Sequence, residues 1–161
     1  MLVALRDRNR PLPACAGLIS PWTDLSGSGE SVVTRADRDP SVTWSSLQRM
    51  ADWYLAGQDP TTPLASPLFA DLAGLPPLLV QVGDEEILLD DATRLAARAE
   101  EAGVDVTLEI ADEMCHVWHG FAVGGVPESL EAIDRLGAFI AGHTASGSVA
   151  SASDPAAAAG R

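Results

Sequence analysis

Leu78-Leu79-Val80-Gln81-Val82-Gly83 is apolar but for Gln81 and breaks abruptly into the acidic Asp84-Glu85-Glu86. A short apolar run closed by turn signals reads as a strand buried on both faces. Beyond it, Leu88, Ala92, Leu95, Ala96 and Ala99 fall on one helical face, predicting a helix from Leu88 to Ala102 that stops at Gly103. Asp90 and Asp91 sit in its first turn, where carboxylates meet the helix dipole favourably. Val104 to Ile110 alternates and is β-branched, so it predicts a strand with one wet face at a sheet edge.

Upstream, Ala14 to Ser20 is a second short apolar run bounded by prolines and reads as another buried strand, followed by Pro21 to Leu25 and an open Ser26-Gly27-Ser28-Gly29 loop. Those glycines lack the third glycine and following helix of a dinucleotide fingerprint. Asp39-Pro40-Ser41 opens a helix predicted over Ser41 to Leu55, with Leu47, Met50, Ala51, Tyr54 and Leu55 inward, and Trp44 and Trp53 expected in the core with a pocket wall as the alternative. Pro60, Pro63, Pro67, Pro76 and Pro77 rule out regular structure from Gly57 to Pro77, leaving a long connection of the kind that shapes a site. A last helix, Glu128 to Ala141, carries Leu130, Ile133, Leu136 and Ile140 at core spacing.

Strands alternating with helices predict an α/β fold with a parallel sheet of about three strands and flanking helices. Met1 to Leu5 followed by Arg6, Arg8, Arg10 and Pro11 reads as the end of a helix without a proper start, so the domain is expected to continue upstream. Residues 1–143 form the folded portion in this reading. The Ala/Ser/Gly tail, 144–161, is expected to be disordered.

The chain has 161 residues, 47% of them hydrophobic and 20% charged, enough for one domain. Its net charge of −13 argues against nucleic acid and anionic membrane as partners. All ten basic residues are arginine, which fits a codon bias better than a function. Cys15 and Cys115 stand in no metal or redox spacing, and no apolar stretch nears the roughly 18 to 20 residues of a membrane span, so a cytoplasmic, reduced protein is the expectation.

The chemistry gathers at the strand ends. Sites in open parallel sheets form beyond the carboxyl ends of strands, where Asp84, Glu85 and Glu86 follow one strand and His116 the next. A carboxylate that holds one imidazole nitrogen lets the other act as a general base. His116 and His119 as a metal pair lack third and fourth ligands, and the acidic clusters fail the calcium-loop pattern, so no metal or cofactor is expected. His119 is read as a pocket-wall or surface residue.

Ser20-Pro21-Trp22-Thr23-Asp24-Leu25, Asp59-Pro60 with Pro63 to Leu68, Gly74-Leu75-Pro76-Pro77, Gly83 to Asp91 and Met114-Cys115-His116-Val117-Trp118 occur in order. Together they resemble the C-terminal half of the hormone-sensitive-lipase-like branch of the α/β-hydrolases, over about residues 1 to 142. The resemblance implies a Ser-acid-His carboxylesterase acting on small-molecule esters, with His116 as base and Glu86 as acid, Asp84 being the alternative. It implies Trp22 and Trp118 as substrate-pocket walls, and a homodimer surface on the final helix and the strand before it. An unpaired sheet edge is the competing cause of self-association.

Two departures matter. Cys115 stands where most relatives have proline, which is expected to loosen the histidine loop. More seriously, no Gly-x-Ser-x-Gly and no His-Gly-Gly-Gly occurs in the 161 residues. The chain reads as a fragment, or as a gene model begun at an internal methionine. Without nucleophile and oxyanion donors it is expected to be inactive alone. The competing expectation is a degenerate, non-catalytic α/β domain that binds a ligand or another chain.

Overall fold

The computed structural model describes residues 1–147, and within them builds a three-stranded parallel sheet. Its strands are β1 (Ala16–Ile19), β2 (Leu78–Gly83) and β3 (Val106–Ala111), in the order β1-β2-β3. Register pairs Ile19 with Gln81, Gln81 with Glu109, and Gly83 with Ala111. Every residue of β2 is buried, as a run apolar but for Gln81 predicts for a central strand covered on both faces. β3 closes one flank of this sheet and leaves Ile110 50% exposed, matching its expected edge position.

The period of two divides β2 between two environments. Leu78, Val80 and Val82 share a core with Val3 of α1 (Leu2–Asp7) and with Ala92, Leu95 and Ala99 of α4 (Leu89–Glu101). Gln81 and Gly83 instead meet α5 (Pro127–Gly147) and the histidine loop: Gln81 Nε2 donates to the Ala132 carbonyl at 3.0 Å. The face carrying the chemistry is therefore opposite the main apolar core.

Three helices depart from expectation. α2 (Ser31–Thr34) is a single turn that the sequence did not signal. α3 runs Trp44–Leu55, beginning later than Ser41, because Asp39 Oδ1 accepts the Ser41 and Val42 N–H groups and holds those residues in a turn. Thr43 then caps the helix by accepting from Ser46 N. It buries Leu47, Ala51 and Leu55, a stripe repeating every four residues, so Met50 and Tyr54 fall outside that stripe and are exposed. Trp53 is 77% exposed and is no core residue, correcting that expectation.

α5 extends to Gly147, past the expected end and into the segment anticipated as disordered; the remainder of that segment, 148–161, lies outside the described residues. It meets β1 and β2 through small or half-buried positions: Ser129 and Ala132 are fully buried, and Leu136 packs where a Cβ on Gly17 would lie 2.3 Å from its Cδ1. So close a seat on a narrow sheet leaves Leu130, Ile133 and Ile140 only half covered, where core burial was expected.

Candidate active site

The site is built on the turn between β2 and α4. Glu86 is 0% exposed, yet each carboxylate oxygen is engaged: Oε1 accepts from Gly83 N at 2.7 Å and Ser20 Oγ at 2.6 Å, and Oε2 lies 2.9 Å from His116 Nδ1. A buried carboxylate is tolerable only when paired in this way. A carboxylate acceptor at this distance makes Nδ1 the donor of the contact. Nε2 is left with its lone pair and makes no hydrogen bond among the described residues.

Asp84, the alternative acid, is otherwise occupied. Its Oδ1 accepts the Glu113 N–H at 2.7 Å and its backbone carbonyl accepts Arg35 Nε. Glu85 pairs with Arg38 and its N–H bonds the Met114 carbonyl. The structure thus brings Glu86 to the imidazole and gives Asp84 and Glu85 to the loop backbone and the surface.

Those contacts pin the histidine loop at several points, so Cys115 in place of proline does not leave it unsupported. Glu113 (φ 56°) and Val117 (φ 52°) lie on either side of His116 in the left-handed region, a state that is uncommon above all for the β-branched Val117 and that surrounding contacts must hold. The loop lies directly on the end of β2, where only glycine fits: a Cβ on Gly83 would sit 2.1 Å from the Met114 carbonyl oxygen.

Beneath the loop is a polar network. His119 is 7% exposed, buried rather than a pocket wall or surface group. Its Nε2 lies 2.9 Å from Gln81 Oε1, while Gln81 Nε2 donates to Glu109 and Ala132, which fixes the Gln81 amide and makes His119 Nε2 the donor. Burial, offset in part by the Glu86 charge, holds the His119 pKa below its ordinary value. The two histidines serve separate partners, and the described residues hold no cluster of three or more metal-type ligands.

Trp118 is 1% exposed and packs against His119 with ring centroids 4.1 Å apart and ring planes tilted by 42°. The indole expected as a pocket wall is instead buried beneath the loop, and Ser129 Oγ on α5 donates to the Trp118 backbone carbonyl. Trp22 does line a cavity, of about 510 Å³, together with Leu2, Val3, Leu72, Leu75 and Leu95. Neither His116 nor Glu86 contributes to that lining.

A second buried cluster ties Trp22-Thr23-Asp24 to α4. Asp91, expected only as a helix-start residue, accepts Thr23 N at 2.7 Å and Asp24 N at 2.8 Å through Oδ2. Burial pushes its pKa up to about 6, against those hydrogen bonds. For Asp24 burial also pushes upward, but bonds from Ser26 and Ser28 outweigh it and leave its pKa lowered. A raised carboxyl pKa means that folding binds a proton, so the Asp91 contribution is most favourable below about pH 4 and declines as pH rises to about 6. Stability lost over that interval is expected to reach about 3 kcal/mol at most. Urea unfolding of wild type and Asp91→Asn between pH 4 and 7 reads it as a steeper fall in the wild type.

A parallel α/β sheet with a buried acid after one strand and its histidine after the next is the arrangement of an α/β-hydrolase. Residues 1–120 match the alpha/beta hydrolase fold family, and the chain belongs to its hormone-sensitive-lipase-like carboxylesterase branch. It is 51% identical over 146 residues to an acetyl-hydrolase of Streptomyces hygroscopicus, covering 91% of this chain and 48% of that protein. An esterase of Acinetobacter venetianus is 36% identical over 144 residues, with 86% and 46% covered. The crystal structure of an esterase from the bacterial hormone-sensitive lipase family superposes with a TM-score of 0.85 at 53% identity, over 88% of this chain and 48% of that one. The chain spans about half the length of these relatives.

The sequence reading did not single out Ser20 or Gln81 as site residues. Gln81 carried a signal, since a lone amide inside an apolar strand must find buried partners. Ser20 carried none beyond its place in a motif.

Proposed function

We propose that this chain carries the acid and the general base of a serine carboxylic ester hydrolase, Glu86 and His116 in those roles, for acyl esters of small or medium chain length. The observation that carries the reading is the 2.9 Å contact between His116 Nδ1 and a fully buried Glu86. Nε2 takes the proton of a serine hydroxyl as it attacks the ester carbonyl, Glu86 holds the imidazolium, and the proton passes to the departing alkoxide. Water repeats the cycle on the acyl-enzyme.

The 161 residues contain no Gly-x-Ser-x-Gly, so the nucleophile in this reading is not among them. Hydrolysis of p-nitrophenyl acetate and butyrate tests it. The chain alone is expected to show no histidine-dependent turnover, and the chain extended upstream by the serine-bearing half of an esterase of this family is expected to turn over both. Histidine-dependent turnover by the chain alone contradicts the assignment of the nucleophile. No turnover by a folded, extended form favours a non-catalytic domain.

A further inference from the structure

We propose that Ser20 is a positioning residue, which locks the Glu86 carboxylate and the histidine loop together and so sets the tautomer of His116. The proposal rests on the reading that Glu86 orients His116, and deepens it. Ser20 Oγ lies 2.6 Å from Glu86 Oε1 and accepts the Val117 N–H at 3.0 Å. A hydroxyl has one proton, and only the carboxylate can accept it here, so both directions are fixed. One 3% exposed side chain thus joins the end of β1, the turn after β2 and the residue next to His116.

The backbone agrees with a special purpose. Ser20 has φ 43°, although it is not glycine, and its own N–H bonds the Gln81 carbonyl at 2.7 Å. Proline at the next position disfavours the right-handed helical region for Ser20. The left-handed conformation coincides with a hydroxyl bonded to both the acid and the loop. Remove the hydroxyl and Oε1 keeps only Gly83 N, while Val117 N–H loses its acceptor. The carboxylate and the loop are then free to shift relative to each other, and the Nδ1–H···Oε2 bond favours its tautomer over the Nε2–H form less strongly.

A purely structural serine would lower stability on removal and leave the tautomer alone, so the tautomer is the quantity to read. The 15N shifts of His116 Nδ1 and Nε2 in the 161-residue chain at pH 8 report which nitrogen carries the proton. Wild type is expected to be predominantly Nδ1–H. Ser20→Gly, which also suits the left-handed backbone, and Ser20→Ala are each expected to lower the Nδ1–H to Nε2–H ratio about tenfold, as for one lost charge-assisted hydrogen bond. Glu86→Gln is expected to invert it. If Glu86→Gln inverts the ratio while folded Ser20→Gly or Ser20→Ala keeps the wild-type value, Ser20 is not a positioning residue although Glu86 is. An unchanged ratio in Glu86→Gln overturns the orienting role of Glu86, and the proposal with it. A measurement on wild type needs no variant: the Val117 amide is expected to be protected from hydrogen exchange, and its exchange at the rate of an open loop overturns the proposal.

Discussion

In a form of the protein that carries the serine, His116→Ala is expected to lower kcat on p-nitrophenyl butyrate by about 10,000-fold with KM little changed. The imidazole acts on a proton in flight and adds little to ground-state binding, so the loss belongs to the chemical step. Glu86→Gln should cost nearly as much, for a reason specific to this site. Gly83 N–H and Ser20 O–H both donate to Oε1, so a glutamine places its oxygen there and its NH₂ group against His116. That NH₂ donates to Nδ1, forces the proton onto Nε2 and removes the lone pair the base needs. Stopped-assay kinetics of the two variants check this. Near-wild-type kcat in Glu86→Gln would show that the carboxylate does not set the tautomer.

Gly83→Ala is expected to destabilise the protein by about 3 kcal/mol or more, which is large for the addition of one methyl group. The new Cβ would lie 2.1 Å from the Met114 oxygen, 2.6 Å from its carbon and 3.2 Å from the Cys115 oxygen. All three are backbone atoms, so no side chain can swing away and the whole histidine loop must lift. The same shift pulls on Glu86 Oε1 through Gly83 N, so the extended enzyme should lose activity beyond what its stability explains. Urea unfolding of the chain and kcat of the extended form measure the two parts. A wild-type unfolding midpoint would mean that the loop can retreat without cost.

Much of this was legible in the sequence, for physical reasons that can be traced residue by residue. β2 and α4 have strong, opposite periodicities, and a parallel strand–helix–strand unit leaves few choices of topology. That unit puts the ends of β2 and β3 at one rim, so Glu86 and His116 could be paired from their order along the chain. Discriminating Glu86 from Asp84 needed the family resemblance, because two residues in one turn differ by side-chain direction and not by period.

The misreadings share a cause. Apolar content at helical spacing says which face could be buried, not whether anything lies there, so Met50, Trp53 and Tyr54 on α3 and Leu130, Ile133 and Ile140 on α5 were assigned more burial than they have. Trp118 and His119 erred in the opposite direction. Residues after a catalytic-looking histidine suggest a pocket wall, but a short 3₁₀ turn, Trp118–Gly124, folds these two back under the loop. The role of Ser20 left no trace beyond its place in a motif, because it depends on three segments that are distant in the chain.

The most direct test of the central claim is labelling with a fluorophosphonate, read by mass spectrometry, on the chain alone and on the form extended with the serine-bearing half. Stoichiometric labelling of the extended form is expected at a serine outside these 161 residues, slowed by orders of magnitude in His116→Ala, with none of the chain alone. Stoichiometric labelling of a serine within the chain, or labelling of the extended form that is indifferent to His116, would contradict the claim.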